Sequence, residues 1–250
     1  MATFKDHFSG HSADYAAHRP AYPEALADYL ASLAPARGLA LDCGCGSGQL
    51  SRLLGDRFER VVATDASAAQ IARAEPHPRV DYRVAPAEAS GLGDGSVDLV
   101  TAAQAAHWFD LDAFYREVRR VAHPRAVVAL ISYGMAHVAP EIDCVVRHLH
   151  DAILAPYWPP ERSHVADGYR SLAFPFDEFE APDFAIVVEW RLGDLLAYLD
   201  TWSAVRRMAT AVGPGPFEAF AARLSEIWGD PATPHRVTWP LALRVGRLGE

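Results

Sequence analysis

Three groups of residues have the types and spacing to do chemistry. The densest is Ala40-Leu41-Asp42-Cys43-Gly44-Cys45-Gly46-Ser47-Gly48, a short apolar run that ends in an acid and is followed by glycines at alternate positions. Glycine lacks a Cβ and accepts φ > 0, so the chain can turn sharply there and let a ligand lie against its backbone. Gln49 to Leu54 reads as a helix, and its free N–H groups would face that ligand. The second group is Val61-Val62-Ala63-Thr64-Asp65, a β-branched run closed by an acid that is placed to bind ribose hydroxyls or to cap the next helix. The third is His107-Trp108, an imidazole beside an indole, just past an apolar stretch that runs to Ala102.

The spacing separates two nucleotide chemistries. A dinucleotide loop reads G-x-G-x-x-G, and its third glycine would fall at Gln49. The order here, Asp42-x-Gly44-x-Gly46-x-Gly48, resembles motif I of the class I S-adenosylmethionine (SAM) methyltransferases instead. Ala85-Pro86-Ala87-Glu88-Ala89 before Asp94-Gly95-Ser96-Val97-Asp98-Leu99-Val100 resembles that family's adenine-contacting loop and fourth strand. Gln104-Ala105-Ala106-His107-Trp108-Phe109-Asp110 is similar to the post-strand motif of a type 11, trans-aconitate methyltransferase-like small-molecule subgroup. Tyr15, Arg19, Pro20 and Tyr22 resemble a lead-in segment that closes over the site in those relatives.

The resemblance implies SAM as cofactor and S-adenosylhomocysteine as product. It places Asp42, Gly44, Cys45, Gly46, Gly48, Asp65, Ala66, Ala87, Glu88 and Gln104 around the cofactor. Tyr15 and Arg19 would approach the methionyl end, where a guanidinium suits a carboxylate. Pro86 stands where many relatives carry an acid, so the adenine contact falls to the Ala87 backbone and Glu88; a solvated loop carboxylate is the other reading of Glu88. His107 is a base or a wall of the substrate pocket, and Trp108 and Trp202 are pocket walls or core anchors.

These groups need a scaffold, and the hydrophobic pattern supplies one. Pro23 opens a helix with Leu26, Leu30 and Leu33 on one face. Strands are expected at 39–43, 60–65, 80–84, about 97–102, 127–132, 184–190 and 236–245, with Pro240 at a bulge or edge. Ser67 and Gln70 have the spacing of a capping box, predicting a helix over about 67–74. Asp110 caps a helix whose Leu111, Phe114, Val118 and Val121 share a face. The relatives turn next on K-P-G-G; His123-Pro124-Arg125-Ala126 predicts a changed loop without effect on chemistry. Further helices are expected near 141–154, 193–209 and 216–228.

The fold class is therefore α/β: a Rossmann-like class I methyltransferase fold, a mostly parallel seven-stranded sheet with helices on both faces and a helical cap. The parts are an N-terminal arm and lid helix (1–38), a SAM-binding core (39–133), a cap insertion (134–183) and the last two strands with a helical insertion (184–250), forming one composite domain. The insertions are long for simple crossovers and predict a cap that shapes the substrate pocket.

Composition narrows the partners. At 250 residues, half of them hydrophobic and 22% charged, the chain has the balance of a soluble globular protein. A net charge of −9 without a long basic run disfavours a nucleic-acid partner. No uninterrupted apolar stretch has the length of a membrane span, and the N-terminus lacks a signal-peptide pattern, so a cytoplasmic location is expected. Three cysteines give neither a disulfide framework nor, with the scattered histidines, a metal site. A monomer or homodimer acting on a small molecule follows. The expected reaction is O-methylation of a carboxylate, which needs no base, or of a hydroxyl, for which His107 would be the base. A SAM-binding regulator without catalysis and an NAD(P)-dependent oxidoreductase are the rival readings.

Overall fold

The computed structural model describes residues 20–249. Helix α1 (Glu24–Leu33) starts one residue later than expected, because Pro23 adopts an extended conformation as its N-cap. A helix of ten residues is marginal in isolation. Leu26, Ala27 and Leu30 are fully buried and hold it to the sheet, and a buried leucine contributes about 1.5–3 kcal/mol.

Strand β1 (Leu39–Cys43) leads through the glycine loop into α2 (Gln49–Gly55), and β2 (Arg60–Asp65) into α3 (Ala68–Ile71). Helix α3 is a single turn, shorter than expected. Ser67 Oγ accepts from the Gln70 N–H at 3.4 Å, but Pro76 and Pro78 soon force the chain to extend. Next come β3 (Val80–Val84), β4 (Val97–Ala103), α4 (Leu111–Val121) and β5 (Ala122–Tyr133). The His123-Pro124-Arg125 stretch is absorbed into the start of β5. Arg125 takes φ +66°, and the pairing with β4 shifts between Val97↔Ala122 and Leu99↔Val127.

The chain continues through α5 (Pro140–His148), a wide helical turn at Leu149–Ile153, α6 (Ser163–Ala166), β6 (Asp177–Phe179) and β7 (Phe184–Trp190). Then follow α7 (Leu192–Asp200), α8 (Ser203–Val212), α9 (Gly215–Trp228) and β8 (His235–Arg247). The one helix expected near 193–209 is two, because Trp202 is extended (ψ 131°) and breaks it.

Among the described residues the sheet has eight strands, in the order β3-β2-β1-β4-β5-β8-β6, with β7 also on β8. Strands β1 to β5 are parallel, and β8 runs antiparallel to β5. The strand beyond the expected seven is β6, whose three residues are too short to leave an alternating pattern. Pro240 lies between the Tyr133↔Leu241 pair and the His137↔Thr238 bridge, where β8 changes partner and a missing donor is tolerated.

Both faces of the parallel strands are covered, which explains their near-continuous apolar sequence. Ala40, Leu99, Ala129 and Ile131 pack under α1 and α2, while Leu41, Val100, Val128 and Leu130 pack under α4 with Val165 and Tyr169. A separate cluster joins α5 and α7 to α9 around Tyr198, Trp202 and Trp239. Strands β2 and β4 flank β1 on opposite sides, so the loops after β1 and β4 meet at the crevice beyond the strands' carboxyl ends.

Candidate active site

The glycine loop is held by packing below and by two acids. Gly44 has φ +66°, and a Cβ there would overlap that of Ala105 in the loop after β4. Gly48 has φ +88°, and a Cβ there would collide with the Tyr82 hydroxyl and ring on β3. The loop therefore sits closer to its neighbours than any other residue type would permit.

Asp42 is 1% exposed. Ser51 Oγ donates to its Oδ2 at 2.6 Å, and Thr101 Oγ1 donates to its Oδ1 at 2.8 Å. The carboxylate thus ties α2 to β4 beneath the loop. Burial pushes its pKa up to about 6, against the lowering effect of those two hydrogen bonds. Asp65 accepts the Gly46 N–H at 2.9 Å on Oδ2 and the Ser67 N–H at 2.8 Å on Oδ1. It is at once a cap for the turn into α3 and a clamp on the loop. The same carboxylate borders the cavity beside Gly46 and Ala66. Glu88 Oε1 accepts the Asp110 N–H at 2.9 Å, which ties its carboxylate to the start of α4. Burial pushes the Cys43 and Cys45 thiols up, which keeps them neutral.

The segment after β4 forms the opposite wall. Gln104 takes φ +56°, rare for a residue with a side chain. Its N–H donates to the Ile131 carbonyl and its Nε2 to the Tyr133 carbonyl at 2.7 Å. Its Oε1 is buried and has no hydrogen-bond partner among the described residues. One helical turn, Ala106–Trp108, carries the imidazole and the indole, with ring centroids 4.6 Å apart. His107 Nδ1 lies 2.8 Å from the hydroxyl of Tyr169, which is fully buried in the segment between α6 and β6. Asp110 caps α4 by accepting the Ala113 N–H at 3.0 Å.

A cavity of about 690 Å³ joins these parts, within the roughly 300–1,000 Å³ typical of ligand sites. Asp42, Gly44, Cys45, Gly46, Asp65, Ala66, Ala87, Glu88, Gln104, His107 and Trp108 all border it. Two expected residues do not. Gly48 faces Tyr82 in the interior. Trp202 is 7% exposed and packs on Trp158 (5.5 Å) and Tyr198 (6.1 Å), because the break between α7 and α8 turns it into the cap's own core. Tyr15 and Arg19 lie outside the described residues. Tyr22, Tyr133 and Glu161 also line the cavity, and the chain gave no sign of the last two. Tyr133 ends a strand like many others, and Glu161 sits in the Pro160–Arg162 turn of an unpatterned insertion.

The donor set fits SAM. The cavity border carries the carboxylates Asp42, Asp65, Glu88, Asp110 and Glu161, which favour a cationic sulfonium. The orphan Gln104 Oε1 can accept from an ammonium, and Asp65 from ribose hydroxyls.

Comparison with known proteins agrees. Residues 41–130 match the family model described as a methyltransferase domain. A methyltransferase of Dictyostelium discoideum is 34% identical over 204 residues, covering 80% of this chain and 78% of its own. The solved structure of a type II methyltransferase from Anaeromyxobacter dehalogenans is 54% identical, covers 93% of this chain and 99% of its own, and superposes with a TM-score of 0.87. A Haemonchus contortus phosphoethanolamine N-methyltransferase, solved with S-adenosylhomocysteine, shares the fold at 15% identity and a TM-score of 0.52, covering all of this chain and 61% of its own. With the loop, the acids and the sheet order in place, the chain belongs to the methyltransferases, as a class I SAM-dependent enzyme.

Proposed function

We propose that the protein methylates a small-molecule acceptor at oxygen, on a carboxylate or a hydroxyl, leaving S-adenosylhomocysteine. The observation that carries this reading is one cavity with two unlike sets of walls. Gly46, Asp65, Ala87 and Glu88 come from β2 and the segments after β1 and β3, and His107, Trp108, Tyr133 and Glu161 from the segment after β4, the end of β5 and the insertion beyond it. When bound, SAM supplies a methyl group on a sulfonium, and transfer forms a C–O bond as the C–S bond breaks with its electron pair left on sulfur. The protein's part is placement. Asp65 and the loop hold the nucleoside, Gln104 receives the ammonium, and the aromatic end presents the acceptor and excludes water. His107 and Trp108 stand at the acceptor end as walls, and the cap closes it through Glu161.

The test is calorimetric titration with SAM, S-adenosylhomocysteine and NADH, followed by a mass-spectrometric screen of carboxylic acids and phenols. Binding of the first two ligands with a gain of 14 Da on an acid or phenol supports the reading. Methylation confined to amines, or to protein or nucleic acid, overturns it.

A further inference from the structure

Strand β7 is an edge that lacks the usual guards. Its seven residues, Phe184–Trp190, pair with β8 in an unbroken antiparallel register on one side. Among the described residues no strand lies on its other side. Apart from the ladder with β8, no hydrogen bond reaches its backbone among those residues. Edge strands are ordinarily blunted by a lysine, a proline, a bulge or a covering loop, because their outward N–H and C=O groups invite another strand. β7 has no lysine, proline or bulge. Its one charge, Glu189, stands opposite Arg236 of β8. At its middle, Val187 is 44% exposed, a large apolar side chain left in solvent.

We propose that β7 pairs with β7 of a second copy of this chain, antiparallel about a two-fold axis through Val187, so that two sheets become one. The strand is self-complementary in that register. A two-fold axis perpendicular to the sheet keeps each face on its own side, so residues meet only others of the same face. Val187 then faces its own copy, Ile186 meets Val188, Ala185 meets Glu189, and Phe184 meets Trp190. One residue further out, Asp183 meets Arg191, and every pair but the central one occurs twice. Arg191 is extended (φ −86°, ψ 168°), so it prolongs the strand as this outer pair requires. Asp183 and Arg191 are both exposed, and neither side chain is in an ion pair among the described residues.

The charges select this register over its neighbours. A slip of one residue would turn the two strands' faces against each other. A slip of two residues one way sets Asp183 against Glu189 on both sides of the axis, and like charges directly opposite are destabilising. A slip of two the other way sets Glu189 against Val187 and Arg191 against Ala185, and the opposite-charge pairs are lost. The inner face of β7 needs no rearrangement. Ile186 is 1% exposed, and the Trp190 ring lies 5.0 Å from that of Trp239. The cavity of the candidate active site takes no wall from β7, so pairing leaves it open in both copies. A contact built on one strand ladder belongs with the small, weak class of interfaces, and the dimer should form reversibly with concentration.

Sedimentation velocity of the full chain from about 1 µM to about 1 mM, the span of weak association, tests the proposal. The wild type should pass from monomer to dimer across that range. Val187→Lys puts two ammonium groups at the axis and should keep the chain monomeric throughout, with its thermal unfolding little changed. Asp183→Arg and Arg191→Asp should each weaken association about 3–30-fold, since either turns two opposite-charge pairs into like-charge pairs, and the double variant should regain it. The exposed charge swaps decide the matter even if Val187→Lys fails to fold. A wild type that stays monomeric at the highest concentration overturns the proposal. So does a dimer indifferent to the charge swaps, or a double variant no stronger than the single ones.

Discussion

Asp42 gives the sharpest check on the geometry beneath the loop. Its carboxyl is buried and its pKa is raised from 3.8 to about 6. The sign follows from linkage: the folded state holds this proton more tightly than the unfolded chain, so the stabilisation is complete below the unfolded pKa and is lost as pH rises through the folded one. Two pKa units at 1.36 kcal/mol each make the charged carboxylate a burden of about 3 kcal/mol at neutral pH. Asp42→Asn removes the charge and keeps the shape. Its carbonyl oxygen can accept from one of Ser51 and Thr101, and its amide can donate to the other hydroxyl oxygen. Urea unfolding of both proteins across the range should show the variant gaining on the wild type by about 2 kcal/mol between pH 4 and pH 8. Affinity for SAM should hold within a few-fold, because both oxygens of Asp42 are already engaged by the protein. Stabilities that run parallel with pH would refute the buried, proton-holding Asp42. A collapse of SAM binding at unchanged stability would show that Asp42 contacts the ligand.

The other expectations are more direct. Asp65→Ala removes a charged acceptor from the Gly46 and Ser67 amides, and the Kd for SAM by calorimetry should rise about 10–100-fold; near-normal binding would move the ribose contact elsewhere. Gly48→Ala should destabilise the fold by about 2–4 kcal/mol in thermal unfolding, from the left-handed φ and the Tyr82 collision together, and a neutral result would mean that the loop relaxes away from β3. Trp202→Ala should cost about 3–5 kcal/mol of stability with KM for the acceptor little changed, whereas Trp108→Ala should raise that KM; the reverse pattern would return Trp202 to the pocket wall.

What the chain by itself determined is local. An alternating-glycine loop after an apolar run, an acid at the end of the next strand and a capped amphipathic helix are written in neighbouring residues, because backbone conformation and periodic burial act over a few positions. Asp65 and Gly46, 19 residues apart, meet as the parallel pairing of β1 and β2 requires. Tertiary structure decided which side chains face one another. Thr101 reaches Asp42 from 59 residues away and Tyr169 reaches His107 from 62. Neither carries a periodic signal, since a hydroxyl that satisfies a buried partner looks like any other in the chain. Trp202 shows the same limit from the other side: a tryptophan suits a ligand wall and a packed core equally well. Only the break between α7 and α8 turned this one away from the cavity.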